Sequence, residues 1–504
     1  MNSYLLLGAA SLVIARAIKF YISRSQRPFA DIPGPVPTSW LFGNMLELIQ
    51  HAPYGKHEFT WQRQYGPVYS IKGCIGEDRL MVSDPTALRH ILADTGDFRK
   101  SPQHQLVNKS ISGDAGILYV QGSEHRRLRH IMLPSFSTDA LRLMVPNLQE
   151  IAEELRVKWQ QSLQSNLEAT GIIDMYPEIH ETALKAVTQC IVGYDMPADN
   201  AYTTSYRNIV AAGAKRSKIA ILTHSVLLAL PNWVFSALAY FPPHDFATML
   251  DFRKMSDRRS RVFLKRKIEA RELGVEAGEG KSLFDVMREL SCANTIIWAL
   301  YELSRNPGWQ ERLRNEINAA HEYSKAETPE FYDRIPFLNA LIKEVVRFYS
   351  GVPYTERIAV RDTILPISTA ITSRSGKKVT EIPVKKGQYV EVAISSYNRL
   401  STIWGEDAEQ FNPLRWFDER AERNFNGALG PYANLLTFFG GPRACIGWRF
   451  AVLEMQIVLC DLIRHACFGI PESNNVVAAH AISLVPLQMG DKEHIGLPLK
   501  VSLM

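Results

Sequence analysis

The chain is 504 residues long and 46% hydrophobic, which excludes a disordered chain and allows a large buried core. Its net charge is +5 and its pI about 8.7, without a dense Lys/Arg block, so charge gives no ground for a nucleic-acid partner. Six cysteines at 74, 190, 292, 445, 460 and 467 are too few for a disulfide scaffold and show no paired metal spacing; the body of the protein faces a reducing compartment on this reading.

At the N-terminus, Tyr4 to Ala15 is apolar or small, and the apolar character resumes from Ile18 to Ile22 after Arg16. The run reaches the length of a membrane span if Arg16 and Lys19 snorkel to the interface. Positive charge lies only after it, which predicts a retained anchor with the downstream side cytoplasmic; a cleaved signal peptide carries its cation before the apolar core. Next, Asp31-Ile32-Pro33-Gly34-Pro35-Val36-Pro37 predicts a stiff extended connector. The expected organisation is an anchor with a basic flank over 1–27, a Pro-rich hinge over 28–37 and one domain over 38–504, since no linker, repeat or low-complexity block divides the remainder.

Helix is expected over Phe59–Tyr65, then a turn at Gly66-Pro67 into a strand over Val68–Ile71 and another over Leu80–Val82. Asp84 followed by Pro85 reads as an N-cap with proline at the first helical position. The apolar tract from Ile219 to Phe241, broken by Pro231, fits either a buried helix pair or a membrane-dipping segment, which the pattern alone does not separate. The basic stretch Arg253 to Arg271 reads as a solvated helix face. Helix is expected over Leu338–Tyr349, with Glu344 and Arg347 on one face. Strands are expected over Lys378–Val384, Gln388–Ala393 and Ala481–Leu487. Many helices with a few short strands give an α+β class, mainly helical, with small β-sheets.

The most informative stretch is Phe438-Phe439-Gly440-Gly441-Pro442-Arg443-Ala444-Cys445-Ile446-Gly447, followed by a helix beginning at Trp448. A thiol at that point meets unsatisfied backbone N–H groups, the positive end of a helix dipole and the Arg443 cation, all of which favour thiolate. A lone thiolate is a poor zinc site, because zinc takes about four ligands. It suits an axial ligand to haem iron, where thiolate electron density favours O–O cleavage. The alternative is a buried free cysteine before a helix.

The form Phe-x-x-Gly-x-Arg-x-Cys-x-Gly resembles the haem-binding signature of the cytochrome P450 monooxygenases, and the resemblance extends over nearly the whole chain. It implies the P450 fold, with Cys445 as the metal ligand to haem b and Phe438, Gly441, Arg443 and Gly447 shaping the cofactor loop. Gly122 to Arg129 resembles the family's Trp-x-x-x-Arg helix, with His125 at the Trp position and Arg129 one turn on; Arg357 matches a further propionate contact. Glu344, Arg347 and Arg415, the last within Phe411–Trp416, resemble the family's structural charge network. The Pro-Gly-Pro hinge is similar to that of microsomal members.

One segment departs from the family. Trp298 to Leu303 resembles the latter half of the long helix that crosses the distal haem face. Counting back, Ser291 falls at the family's Thr and Leu290 at its acid, while Met287 and Arg288 stand where two small residues leave room for oxygen. Several turns before them are missing. Ser291 retains a hydroxyl, and Glu289 is the carboxyl that takes the acid's place; these two are the candidate catalytic residues. The resemblance implies a monooxygenase of the endoplasmic reticulum membrane, using O₂ and electrons from NADPH–cytochrome P450 reductase, in contact with membrane lipid. It would hydroxylate or epoxidise a small apolar substrate, such as a terpenoid of secondary metabolism. A haem-dependent isomerase or dehydratase without external O₂, or an inactive truncated haem binder, are the alternatives.

Overall fold

The structure is a computed structural model. It describes residues 29–504 apart from 51, 94–95, 164–169, 194–203, 206–207, 211–212, 215, 230–248, 259–260, 262–285, 325, 419–427, 473–474, 482 and 491–493. The expected anchor over 1–27, all of the apolar tract beyond Ala229 and the basic stretch beyond residue 261 lie outside the described residues. Among the described residues no helix is long and apolar enough to cross a membrane.

Helix α1 (Lys56–Tyr65) ends at Gly66, φ +91°, and turns into the hairpin β1 (Val68–Lys72) and β2 (Asp78–Val82). Asp84 then caps α2 (Pro85–Leu92) as its sequence predicts, accepting from the amides of Thr86 and Ala87. The buried Asp84 carboxylate also accepts from the Ser368 and Thr369 amides, so one side chain both starts a helix and holds a distant strand. After β3 (Phe98–Lys100) the chain forms α3 (Gly122–Met132), α4 (Thr138–Leu163), β4 (Thr170–Asp174) and α5 (Met175–Val187). Then come α6 (Val286–Arg305), α7 (Pro307–Tyr323) and α8 (Pro336–Phe348).

Strands β5 (Tyr354–Ala359), β6 (Thr363–Thr372), β7 (Lys378–Val384) and β8 (Tyr389–Ala393) follow. The last helix, α9 (Trp448–His465), leads to β9 (Ala466–Gly469), β10 (Val476–His480), β11 (Leu484–Gln488), β12 (His494–Ile495) and β13 (Pro498–Leu503). The strands lie in small sheets: β1-β2-β8-β5-β3, in which only β2 and β8 run parallel, plus β10-β11-β12, β4-β13-β9 and the hairpin β6-β7. The expected strand from Ala481 is corrected: Ala481 and Ser483 form the turn between β10 and β11, closed by the Ala481 amide on the Ser483 carbonyl. The mainly helical α+β class stands.

The main core is helical. Apolar residues of α4, α5, α6 and α9 pack together: Leu148 and Ala152 meet Ile179 and Ala183, with Ile296, Leu300 and Leu459 buried among them. A second cluster sits between β2, β8, α2 and the β6-β7 hairpin. The proline-rich segment is docked on this body from Phe29 onward. Phe29 is buried, the Ser70 amide donates to the Pro33 carbonyl, and a Cβ on Gly34 would stand 1.8 Å from the Ser70 carbonyl oxygen. Arg253 likewise departs from a simple solvated face, donating to the Lys109 carbonyl at 3.2 Å.

Candidate active site

The loop before α9 is held from three sides. The Cys445 amide donates to the Phe438 carbonyl at 2.7 Å, which closes the segment between them into a tight loop. Gly441 takes φ +62°, and a Cβ there would stand 2.4 Å from the Leu92 carbonyl oxygen at the end of α2. Glycine is therefore required for the loop to rest on that helix. Phe439 adopts φ +59° with ψ −174°, a positive-φ conformation rare for any residue but glycine. Gly447 is the N-cap of α9 and supplies no side-chain acceptor to the first turn. Partly buried Cys445 sits two residues before Gly447, an N-cap with no side chain to bond the first amides, at the positive end of α9, a setting that stabilises an anion.

Cations converge on the same loop. Arg129 on α3 donates to the Ala444 carbonyl at 2.6 Å, next to Cys445. Arg443 donates to the Val120 carbonyl at 3.0 Å, just before α3, so loop and helix are cross-tied. His125, one turn before Arg129, is buried. Arg357 on β5 is buried; it donates to the Glu356 carbonyl at 2.8 Å, and its guanidinium stands 4.9 Å from the centre of the Phe439 ring. Three guanidinium groups around one cysteine loop fit a cofactor that carries iron and two carboxylates, because carboxylates taken out of water need paired positive charge. The structure brings Phe438, Gly441, Arg443, Cys445, Gly447, Arg129 and Arg357 together and places His125 on the adjoining helix.

Beneath the loop lies the charge network expected from the sequence. Glu344 and Arg347 on α8 are fully buried and form two bonds, at 2.8 and 2.7 Å. Arg415 reaches Glu344 at 3.0 Å and Asp407 at 2.9 Å, and the Trp416 indole N–H and the Asn412 amide complete the carboxylate's partners. Two carboxylates and two guanidinium groups balance. Asn398, which the sequence does not single out, ties this network to the loop. Its carbonyl accepts from Arg347, and its side chain joins Thr437, Ser350 and the Leu436 amide. A single Asn in no repeating pattern gives no local signal for that role.

On the other side, α6 packs against α5 and α9. Ser291 and Glu289 lie in its first turns, but their side chains are outside the description, so the structure fixes only their place along the helix. Two bonds pin the middle of α6 to the loop before β11: Asn294 donates to Ser483 at 2.6 Å and Trp298 to the Leu484 carbonyl at 3.2 Å. His180 on α5 lies 3.0 Å from the Asn294 side-chain oxygen.

Among known proteins, the model of the family described as Cytochrome P450 matches residues 33–279 and 291–479. The two matched segments flank 280–290, the stretch next to which turns of the distal helix are expected from the sequence to be missing. The chain is 27% identical over 475 residues to Cytochrome P450 monooxygenase claO of Ampulloclitocybe clavipes, covering 88% of this chain and 87% of that protein. It is 26% identical over 505 residues to Cytochrome P450 monooxygenase 205 of Postia placenta, covering 92% and 91%. It is 29% identical over 487 residues to Cytochrome P450 monooxygenase 91 of the same organism, covering 88% of each chain.

Proposed function

This chain belongs to the cytochrome P450 family, and from that premise we propose that Cys445 is the thiolate ligand of a haem-thiolate monooxygenase acting on a small apolar substrate. The family's cofactor is haem b with a cysteine thiolate as axial ligand, and its relatives are monooxygenases. When bound, the haem supplies the iron at which O₂ is activated by two electrons so that one oxygen atom enters a C–H or C=C bond.

The chain's own residues hold and shape that site. Cys445 carries the anionic sulfur, kept ionised by the α9 amides and the nearby guanidinium groups. Arg129, Arg357 and Arg443 hold the two propionates, with His125 as a further donor. Phe438 and Gly441 set the course of the loop that carries the sulfur, and Gly447 starts α9. Ser291 holds a proton on the distal side, with Glu289 as its acid. The electrons come from NADPH–cytochrome P450 reductase. The apolar stretch in 1–27 supports attachment to the endoplasmic reticulum membrane, with the catalytic domain in the cytoplasm. The substrate belongs to secondary metabolism, terpenoid-like in size and polarity.

The observation that carries this reading is the Cys445 loop, a thiol at an uncapped helix start among three guanidinium groups. Cys445→Ala should abolish the red-shifted CO band of the reduced protein while leaving the fold intact by circular dichroism; a variant that keeps the band refutes the ligand assignment. The interruption at 280–290 favours a second reading, a haem-dependent isomerase or dehydratase. Product formed without NADPH and O₂ would select it.

A further inference from the structure

Two aromatic rings and a carboxylate between α6 and α8 form an arrangement that the proposed chemistry leaves unused. The rings of Trp298 and Tyr349 lie 4.2 Å apart and 2° from parallel. The Tyr349 hydroxyl donates to Glu302 at 2.5 Å. All three side chains are buried. Tyr301 meets Trp298 edge-on at 5.6 Å and is itself only half-buried, with the exposed Arg305 guanidinium 5.4 Å from its ring centre.

Packing and hydrogen-bond satisfaction alone would be met by many aromatic pairs. This group combines three further properties. Tryptophan and tyrosine are the side chains whose rings lose an electron most readily. A phenol becomes a strong acid when it does so, and needs a base already at hydrogen-bond distance; Glu302 stands there. Burial holds the Glu302 carboxyl above the usual carboxylate range, which makes it the better proton acceptor. The group also lies close to the cysteine loop. Thr437, beside Phe438, donates to the Val346 carbonyl one turn before Tyr349, and Phe438 accepts the Cys445 amide.

We propose that Tyr349, with Glu302 as its proton acceptor and Trp298 as its stacked relay, is an internal one-electron donor that discharges the oxidised haem when no substrate is hydroxylated. The inference rests on the haem-thiolate reading above. In the step, one electron leaves the Tyr349 phenol for the oxidised haem, its O–H bond breaks, and the proton passes to the Glu302 carboxylate. A neutral phenoxyl radical stays on Tyr349. A thiol-type reductant at the surface then returns the electron through Tyr301 and Trp298, and Glu302 returns the proton.

The test uses the full-length, haem-loaded ferric protein without substrate, mixed with an organic peracid as oxidant. Freeze-quenched electron paramagnetic resonance should show a tyrosyl radical. Tyr349→Phe, which keeps the ring stack, should lose that signal and bleach its haem several-fold faster. Glu302→Gln should reduce the signal several-fold, and Trp298→Phe should slow its re-reduction by added thiol. An undiminished radical in Tyr349→Phe, or a wild-type protein that has the red-shifted CO band but forms no tyrosyl radical, overturns the proposal alone. A wild-type protein lacking that band overturns the haem-thiolate reading and the proposal together.

Discussion

Glu344→Ala is the sharpest probe of what keeps the cysteine loop in place. The wild-type carboxylate is fully buried and accepts from Arg347 twice, from Arg415, from the Trp416 indole and from the Asn412 amide. Its removal leaves Arg347, equally buried, with only the carbonyls of Asn398, Ala408 and Gln410. Stranding a buried charge in this way costs about 3–5 kcal/mol. For a chain of this length the unfolding entropy is on the order of 1 kcal/mol per degree, so the melting midpoint should fall by about 3–5 °C. Lys385→Ala, which breaks the exposed pair with Asp362, is the control and should move the midpoint by less than about 1 °C. Because Arg347 reaches the loop through Asn398 and Thr437, haem should be lost from Glu344→Ala at a temperature below global unfolding. Scanning calorimetry with parallel absorbance of the haem band measures both. Equal shifts for the two variants would refute the reasoning, since it requires that burial and not the number of ion pairs decides the cost.

Further expectations follow from particular side chains. Glu391 is buried with Glu77 and Glu356 around the single Arg79, and burial pushes its carboxyl up to about 7. The folded state therefore holds a proton that the unfolded state has released between about pH 4.5 and 7, and wild-type stability falls as pH rises through that window. Glu391→Gln should match the wild type near pH 4.5 and exceed it by on the order of 2–3 kcal/mol above pH 7, as urea titrations at several pH values would show. Asp84→Ala should cost about 2–3 kcal/mol, because it removes both the α2 cap and the tie to β6; thermal unfolding measures this. Arg129→Ala loses the bond to the Ala444 carbonyl and, on the proposed reading, a propionate partner, so haem transfer to apomyoglobin should be faster by about ten-fold or more. On the reading that distal turns are missing, the chain should convert most NADPH oxidised into hydrogen peroxide rather than product; a peroxide yield near zero per NADPH would show that proton delivery is intact.

What the sequence made legible was local. The Asp84 cap, the α8 helix with Glu344 and Arg347 one turn apart, the strand over Lys378–Val384 and the loop-to-helix junction at Gly447 each depend on residues a few positions apart, and each is found where expected. What was not legible depends on contacts far along the chain. Asn398 meets Ser350 and Thr437 across about four dozen and about three dozen residues, and His180, Asn294 and Ser483 come together from three distant segments. Strand β4 pairs with β13 from the opposite end of the chain, and its half-buried residues carry no clear alternation. The strand expected from Ala481 began early because its apolar residues continue through the turn. The positive φ of Phe439 has no sequence signature at all, since tertiary packing imposes it against the residue's own preference.

The two faces of the candidate site therefore stand on different physical footing. The proximal face is over-determined: Cys445 is tied to Phe438, the loop to α2, α3 and Asn398, and Asn398 to a charge-balanced network around the buried Glu344–Arg347 pair, whose members each have several partners. The distal face rests on one helix whose middle is firmly held, by Trp298 on Leu484 and Asn294 on Ser483, and whose described turns run from Val286. At 1.5 Å per residue, the stretch from Val286 to Asn294 spans about 12 Å, and its first part, Val286 to Leu290, lies inside the interruption in the family match. On the proposed reading, binding of haem draws on the first face and ordered proton delivery on the second. A change confined to the start of α6 can thus impair oxygen chemistry while leaving the thiolate site whole, which is why the CO band and the peroxide yield report on independent parts of this molecule.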